Sequence, residues 1–245
     1  INVDARSVTT AVRVGPNSVG NYLFNVDLKL PKLTNTAKTT AGWSGFASAV
    51  GAEIANVYQS RITAPYIYNF GIGLTCGGYG TGCVYNTIEI GVLWGNKVNL
   101  ELSAKTATGW CNENLFINGR FSHSVSEGTH VSGCYHIFIH GYDDTDGGPN
   151  NNVFLKPSIE GDQPQYLLNI WGEFNKFVNP RMEVVGDVYL YFYAPSGFAT
   201  QGNCIDSGYI TQPFNVTNAG SGSVQGNFLV NNHKGGEVRD RKSTR

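Results

Sequence analysis

The apolar residues of this chain come in short runs separated by Gly- and Asn-rich turns, and no stretch is long and periodic enough for a sizeable helix. One motif returns throughout: an asparagine followed two places later by a large apolar residue. It occurs at Asn21, Asn56, Asn86, Asn114, Asn152, Asn175, Asn203 and Asn227, with spacings of 35, 30, 28, 38, 23, 28 and 24 residues. The shortest spacings set the repeat, and the longer ones carry loops. Before most of these asparagines lies a second strand-like run, as in Val98-Asn-Leu-Glu-Leu, His136-Ile-Phe-Ile, Tyr166-Leu-Leu-Asn-Ile and Val188-Tyr-Leu-Tyr-Phe. Each repeat therefore predicts two or three short strands, which excludes strand-helix repeats.

Such a repeat predicts an all-β solenoid, a right-handed parallel β-helix of about eight coils, over residues 1–230. Successive coils would hydrogen-bond along the axis and stack equivalent side chains at about 4.8 Å. A buried asparagine at each corner could then bond the backbone and the asparagines above and below, satisfying polar groups that the turn would strand. Counting from each Asn, the fifth position holds the bend formers Gly91, Gly119, Pro157, Pro180 and Gly208; the seventh holds Leu93, Phe121, Ile159, Met182 and Ile210, which are assigned to the core. The sixth and eighth positions should point outward, because neighbours in a strand alternate sides. Cys83 and Cys111 share a position and should stack. Residues 31–55 fit poorly, so 32–43 is read as a loop excursion, and 231–245 as a charged tail or the start of a missing C-terminal domain.

Composition narrows the function classes. The chain has 31 Gly, 13 Tyr and 13 Phe with 14% charged residues, a mix that favours strands and turns. A formal charge of −1 offers no field for nucleic acid, and no apolar run approaches the roughly 18 residues of a membrane span. The five cysteines match no zinc spacing and are expected as free, largely buried thiols. No metal and no cofactor is expected.

The register brings distant residues together. The eighth positions read Trp94, Ser122, Glu160, Glu183, Thr211; the sixth read Val92, Arg120, Ser158, Arg181, Tyr209. Glu160 and Glu183 are thus expected one coil apart, with Arg120 and Arg181 beside them and the aromatic Trp94 and Tyr209 at the ends. Aromatic faces cover the apolar side of pyranose rings, and charged groups bond hydroxyls, so the strip is a candidate sugar-binding surface. Two carboxyls roughly 5 Å apart suit a retaining glycosidase, and mutual repulsion would raise one pKa. A second catalytic candidate is the loop holding Asp143 and Asp146. Glu113 is read as bracing its turn, Glu89 and Glu101 as lacking an obvious partner, and His123, His130, His136 and His140 as dispersed surface histidines, although a lyase could use one as its base.

The stretch Gly109-Trp-Cys-Asn-Glu-Asn-Leu-Phe-Ile-Asn-Gly-Arg-Phe121, echoed by Asn86-Thr-Ile-Glu-Ile-Gly91 and Asn152-Val-Phe-Leu-Lys-Pro-Ser-Ile-Glu-Gly161, resembles the pectate-lyase-like β-helix of bacteriophage tailspikes and other virion-associated polysaccharide depolymerases. The resemblance covers about Val12 to Phe228 and lacks the Asp-rich calcium cluster of pectate lyases. It implies a tailspike segment on the virion, assembled in the host cytoplasm and acting extracellularly. It further implies that the segment binds and cleaves a bacterial surface polysaccharide (capsule, O-antigen or exopolysaccharide) during host attachment. A parallel homotrimer, joined to other virion tail proteins through regions outside this chain, is also implied. The alternative is a non-enzymatic adhesin or a structural shaft.

Overall fold

A computed structural model describes residues 2–4, 9–36, 49–123, 133–143, 146, 148–161, 165–184, 188–212, 214–230 and 238–241. All regular structure among them is strand, and every strand pair is parallel, each joining equivalent segments of successive turns. The expected parallel β-helix is therefore observed.

The first sheet contains Arg61–Tyr68, Thr87–Trp94, Leu115–His123, Val153–Leu155 with Ser158–Gly161, Lys176–Val178 with Arg181–Val184, and Cys204–Asp206. The second contains Val50–Ala55, Ile72–Gly78, Val98–Ala104, Tyr135–His140, Tyr166–Ile170, Val188–Ala194 and Phe214–Gly220. A third face carries short strands, ending one small sheet at Trp110–Asn112 and forming another from Ala199–Gln201 and Ser223–Gln225. Two segments depart from expectation. Lys32–Thr34 is a first-sheet strand, not a loop, and its Leu33 and Thr34 pair with Ile67 and Tyr68; residues 37–48 lie outside the described set. Val238–Arg241 pairs with the strand Phe214–Gly220, so the solenoid continues into the segment read as a charged tail.

The core is built from inward columns. Ile62, Ile88, Phe116, Phe154, Phe177 and Ile205 are register partners in succession, and the three phenylalanines stack with centroids 4.8 and 4.5 Å apart. The seventh-position column of Leu93, Phe121, Ile159, Met182 and Ile210 is buried as expected. Full burial of each such side chain stabilises the fold by roughly 2–3 kcal/mol. All five cysteines are free, Cys83 and Cys111 are register partners, and only Cys204 is not fully buried.

The corner asparagines form a continuous ladder from Asn86 to Asn227. Each side-chain amide donates to the next Oδ1, through Asn114, Asn152, Asn175, Asn203 and Asn227, at 2.9–3.2 Å. Each Oδ1 also accepts the backbone N–H of the preceding rung, and each amide reaches a carbonyl of the third face. The ladder sits on a turn that needs a left-handed residue just before the rung: Tyr85, Glu113, Asn151 and Phe174 have φ of 55–60°, and glycine fills the place at 202 and 226. Asn56 and Asn21 are not rungs. Pairing of Thr87 with Arg61 puts Ser60 opposite Asn86, and the Ser60 N–H donates to Asn86 Oδ1 at 3.0 Å. Asn56 instead binds the carbonyls of Ser18 and Asn21. The turn-forming habit of asparagine produced the coincidence of spacing.

Candidate functional site

The strip expected on the first sheet is assembled as the register required. Val92, Arg120, Ser158, Arg181 and Tyr209 form one column, and Trp94, Ser122, Glu160 and Glu183 its neighbour, with Glu160 directly opposite Glu183. Trp94 and Tyr209 are exposed, and Trp94 packs on Tyr68 at 4.9 Å. Ser122 is buried rather than outward-accessible. Charge between the carboxylates is not left to repel: Arg181 bridges them, bonding Glu160 at 2.7 Å and also Glu183, while Arg120 approaches Glu160 at 2.9 Å and the Ser158 hydroxyl donates to it at 2.6 Å. Burial pushes the Glu160 carboxyl upward, but the Ser158 hydrogen bond and the two guanidinium groups outweigh it, so the pKa lies below the ordinary value. The rise expected at one of the two carboxyls is therefore not at Glu160. The strip is a set of mutually satisfied ion pairs bounded by aromatic rings.

Asp143 and Asp146 lie elsewhere. They follow the second-sheet strand Tyr135–His140; Asp143 is exposed, and the Asp146 N–H donates to the Asp143 carbonyl at 3.3 Å. Asp146 lines a recess on the third face together with Glu173. Asp144 and Thr145, which stand between the two acids, fall outside the described residues.

The outward face of the second sheet carries a denser constellation. Register there aligns Glu53, Thr75, Glu101, Phe138, Asn169 and Tyr191 in one column and Ser103 with His140 in the next. Glu101 is buried and fully engaged: Lys105 Nζ lies 2.5 Å from Oε2, the Thr75 hydroxyl donates to Oε2 at 2.6 Å, and His140 Nε2 lies 3.2 Å from Oε1. Burial alone would raise this carboxyl, yet Lys105 and His140 hold it well below the usual carboxylate range. Lys105 can fold back over the strand because residue 77 is glycine: a β-carbon there would meet Ser103 O at 2.2 Å and Lys105 Cγ at 2.9 Å. Two turns from Glu101, Glu53 accepts from Arg13 Nε at 2.6 Å and from the Tyr79 hydroxyl at 2.5 Å. Burial, then the bond to Glu53, pushes the Tyr79 phenol up to about 12.

Beside this acid-base cluster the aromatic side chains close into a circuit. Neighbouring centroids run Tyr135 to Phe138 at 4.8 Å, Phe138 to Trp171 at 5.6 Å, Trp171 to Tyr193 at 4.6 Å, Tyr193 to Tyr191 at 6.2 Å, Tyr191 to Tyr166 at 4.7 Å and Tyr166 to Tyr135 at 6.3 Å. Asn169 lies among these rings, accepting the Trp171 indole N–H at 2.8 Å and bonding Tyr135. His140 stacks on Phe138 at 4.0 Å, tying the circuit to Glu101. Compared with known proteins, the chain matches no family model, no curated protein and no solved structure.

The histidines are therefore not a dispersed surface set. His123 and His136 stack at 4.4 Å, buried where the first sheet turns into the second; His136 Nδ1 lies 3.0 Å from Asn99 Nδ2, and burial with neighbouring His123 holds His136 well below its ordinary pKa. His140 pairs with Glu101, which also removes the reading of that acid as partnerless. Glu89 likewise has a partner, Arg61, at 3.4 Å. His130 lies outside the described residues. Glu113 occupies its turn in the left-handed conformation, in keeping with a bracing position.

Chemically, a neutral His140 donating Nε2–H to the Glu101 carboxylate would carry its lone pair on Nδ1, the atom a general base uses. Lys105 beside it supplies positive charge, and the adjoining rings supply flat apolar surface. Among the described residues, no group of three or more His, Cys, Asp or Glu is placed to hold a metal ion.

Proposed function

We propose that this chain is the carbohydrate-recognising β-helix of a bacteriophage tailspike, binding a bacterial surface polysaccharide and cleaving it, by hydrolysis or elimination, on the outward face of the second sheet. The aromatic circuit adjoining the Glu101, His140 and Lys105 cluster carries this reading. Half-buried rings held by their neighbours give pyranose C–H faces a surface that loses little freedom on binding, and sheet strands fix successive subsites at constant spacing. His140 is the proposed base, Glu101 its positioning residue, and Lys105 the group facing developing negative charge. The first-sheet strip of Trp94, Arg120, Arg181 and Tyr209 supports additional contacts to the same polymer. The resemblance of the Asn-Glu-Asn-containing coil to tailspike sequences supports the setting on a virion tail and a homotrimeric assembly.

The test is incubation of the protein with purified capsule, O-antigen and exopolysaccharide, reading retention and oligosaccharide products by mass spectrometry. His140→Ala should abolish products and keep retention, whereas Trp171→Ala should weaken retention about tenfold, the effect of losing roughly 1.4 kcal/mol of stacking. Retention without products from the unaltered protein would favour the second reading, an adhesin, which the fully ion-paired state of Glu160 supports. Absence of both would overturn the carbohydrate reading.

A further inference from the structure

The third face of the solenoid is interrupted. Pairing stops at Trp110–Asn112 and resumes at Ala199–Gln201. Between them two turns cross as 148–150 and 172–174 without strand pairing, held by isolated backbone bonds and by side-chain amides. The Asn150 N–H donates to Asn112 Oδ1 at 2.8 Å, and the Glu173 N–H donates to Asn150 Oδ1 at 3.1 Å. Glycine lets these turns lie close, since a β-carbon at 172 would stand 1.9 Å from the Pro149 carbonyl oxygen.

The interruption leaves a cleft of about 350 Å³. Its side chains include Trp110 and Phe198, which are 42% and 39% exposed, together with Asn112, Asn150, Asp146 and Glu173. Among the described residues no Lys, Arg or His lines it and neither carboxylate has an ion-pair partner. A shallower groove shares Glu173 and Phe198 and continues past Ser221 and Ser223, so the cleft opens along the axis.

We propose that this cleft binds a single sugar residue bearing a free ammonium group, an unacetylated hexosamine. The volume stands at the lower end of the roughly 300–1,000 Å³ of small-molecule sites, suited to one ring and not to a chain. Two exposed aromatic rings offer faces both to pyranose C–H groups and to a cation. Two carboxylates with no cationic partner among the described residues favour an ammonium ligand and oppose a uronate or phosphate. The second-sheet cluster differs in kind, its cations Arg13 and Lys105 being paired with Glu53 and Glu101, so the cleft is a separate site and its existence does not depend on cleavage there.

Titration of the full chain with glucosamine, N-acetylglucosamine and glucuronate, followed by calorimetry and Trp fluorescence, tests the assignment. Glucosamine should bind about tenfold more tightly than N-acetylglucosamine, the difference expected of one charge-assisted bond. The near-isosteric Glu173→Gln should erase that preference, and Trp110→Ala should weaken both sugars. Equal affinity for the two sugars, glucosamine binding indifferent to Glu173→Gln, or no saturable glucosamine binding would overturn it.

Discussion

Replacing Asn152 by alanine tests the ladder at its centre. The side chain is fully buried and makes five hydrogen bonds: it accepts from the Asn114 backbone N–H and amide, both at 3.1 Å, and donates to Asn175 Oδ1, Cys111 O and Asn150 O at 3.1, 3.0 and 3.2 Å. Several partners keep a second bond after its removal: the Asn114 amide retains Cys83 O, and Asn175 Oδ1 retains the residue 152 N–H. The Asn114 N–H and the Cys111 carbonyl lose this partner inside the fold. At about 1–3 kcal/mol for each stranded buried group, the cost is about 4 kcal/mol. Asn227 performs the same acceptor role for Asn203, at 3.0 and 2.9 Å, but is only partly buried, so water can substitute and Asn227→Ala should cost about 1 kcal/mol. Equilibrium urea unfolding of both variants, read by Trp fluorescence, gives the comparison. Equal losses, or an Asn152→Ala loss under about 1 kcal/mol, would show that the ladder is incidental to stability.

Two titrations address the second sheet. The Glu101 pKa is depressed by Lys105 and His140 against the upward push of burial, so this carboxyl contributes stability that is present above its unfolded pKa of roughly 4.3 and lost as pH falls further. The acid limb of the stability profile should therefore be shallower in Glu101→Gln, and superimposable acid limbs would refute the pairing. For Tyr79, raised to about 12 by burial and by Glu53, the sign is opposite: its contribution is present below roughly pH 10 and is lost as pH rises from there through about 12. Tyrosinate absorbance should contain a late-ionising component that Tyr79→Phe removes and Glu53→Gln shifts toward 10; a component unmoved by either change would place it on another tyrosine.

Much of the architecture is legible in the chain because a solenoid repeats its constraints. One rung position, one turn conformation and one inward column are each imposed several times, so Phe116, Phe154 and Phe177 can be aligned from their asparagines alone. The same count carries Glu160 to Glu183 correctly, but it cannot report that Arg181 spans both, since side-chain reach is absent from a register. The second sheet is obscured by unequal connections. Three residues separate Trp94 from Val98 and eleven separate His123 from Tyr135, so a count begun at the asparagine loses phase before Glu101 and His140. Aligning Val98-Asn-Leu-Glu-Leu-Ser directly with Tyr135-His-Ile-Phe-Ile-His places Ser103 opposite His140 and Glu101 two residues away on the same face. Ser60 is hidden for a simpler reason: a backbone N–H makes the same bond to the next rung whatever side chain it carries.

Phe116 and Phe154 meet across 38 residues of chain, Phe154 and Phe177 across 23, yet both pairs stack alike. Added length is thus absorbed off the sheets, where doubling a connection costs only about 0.6 kcal/mol of closure entropy. A single residue inserted within a strand would instead turn every following side chain inside out. The molecule is accordingly permissive to grafted segments between its walls and intolerant of slippage within them, so new surface specificities can be acquired there without redesigning the interior.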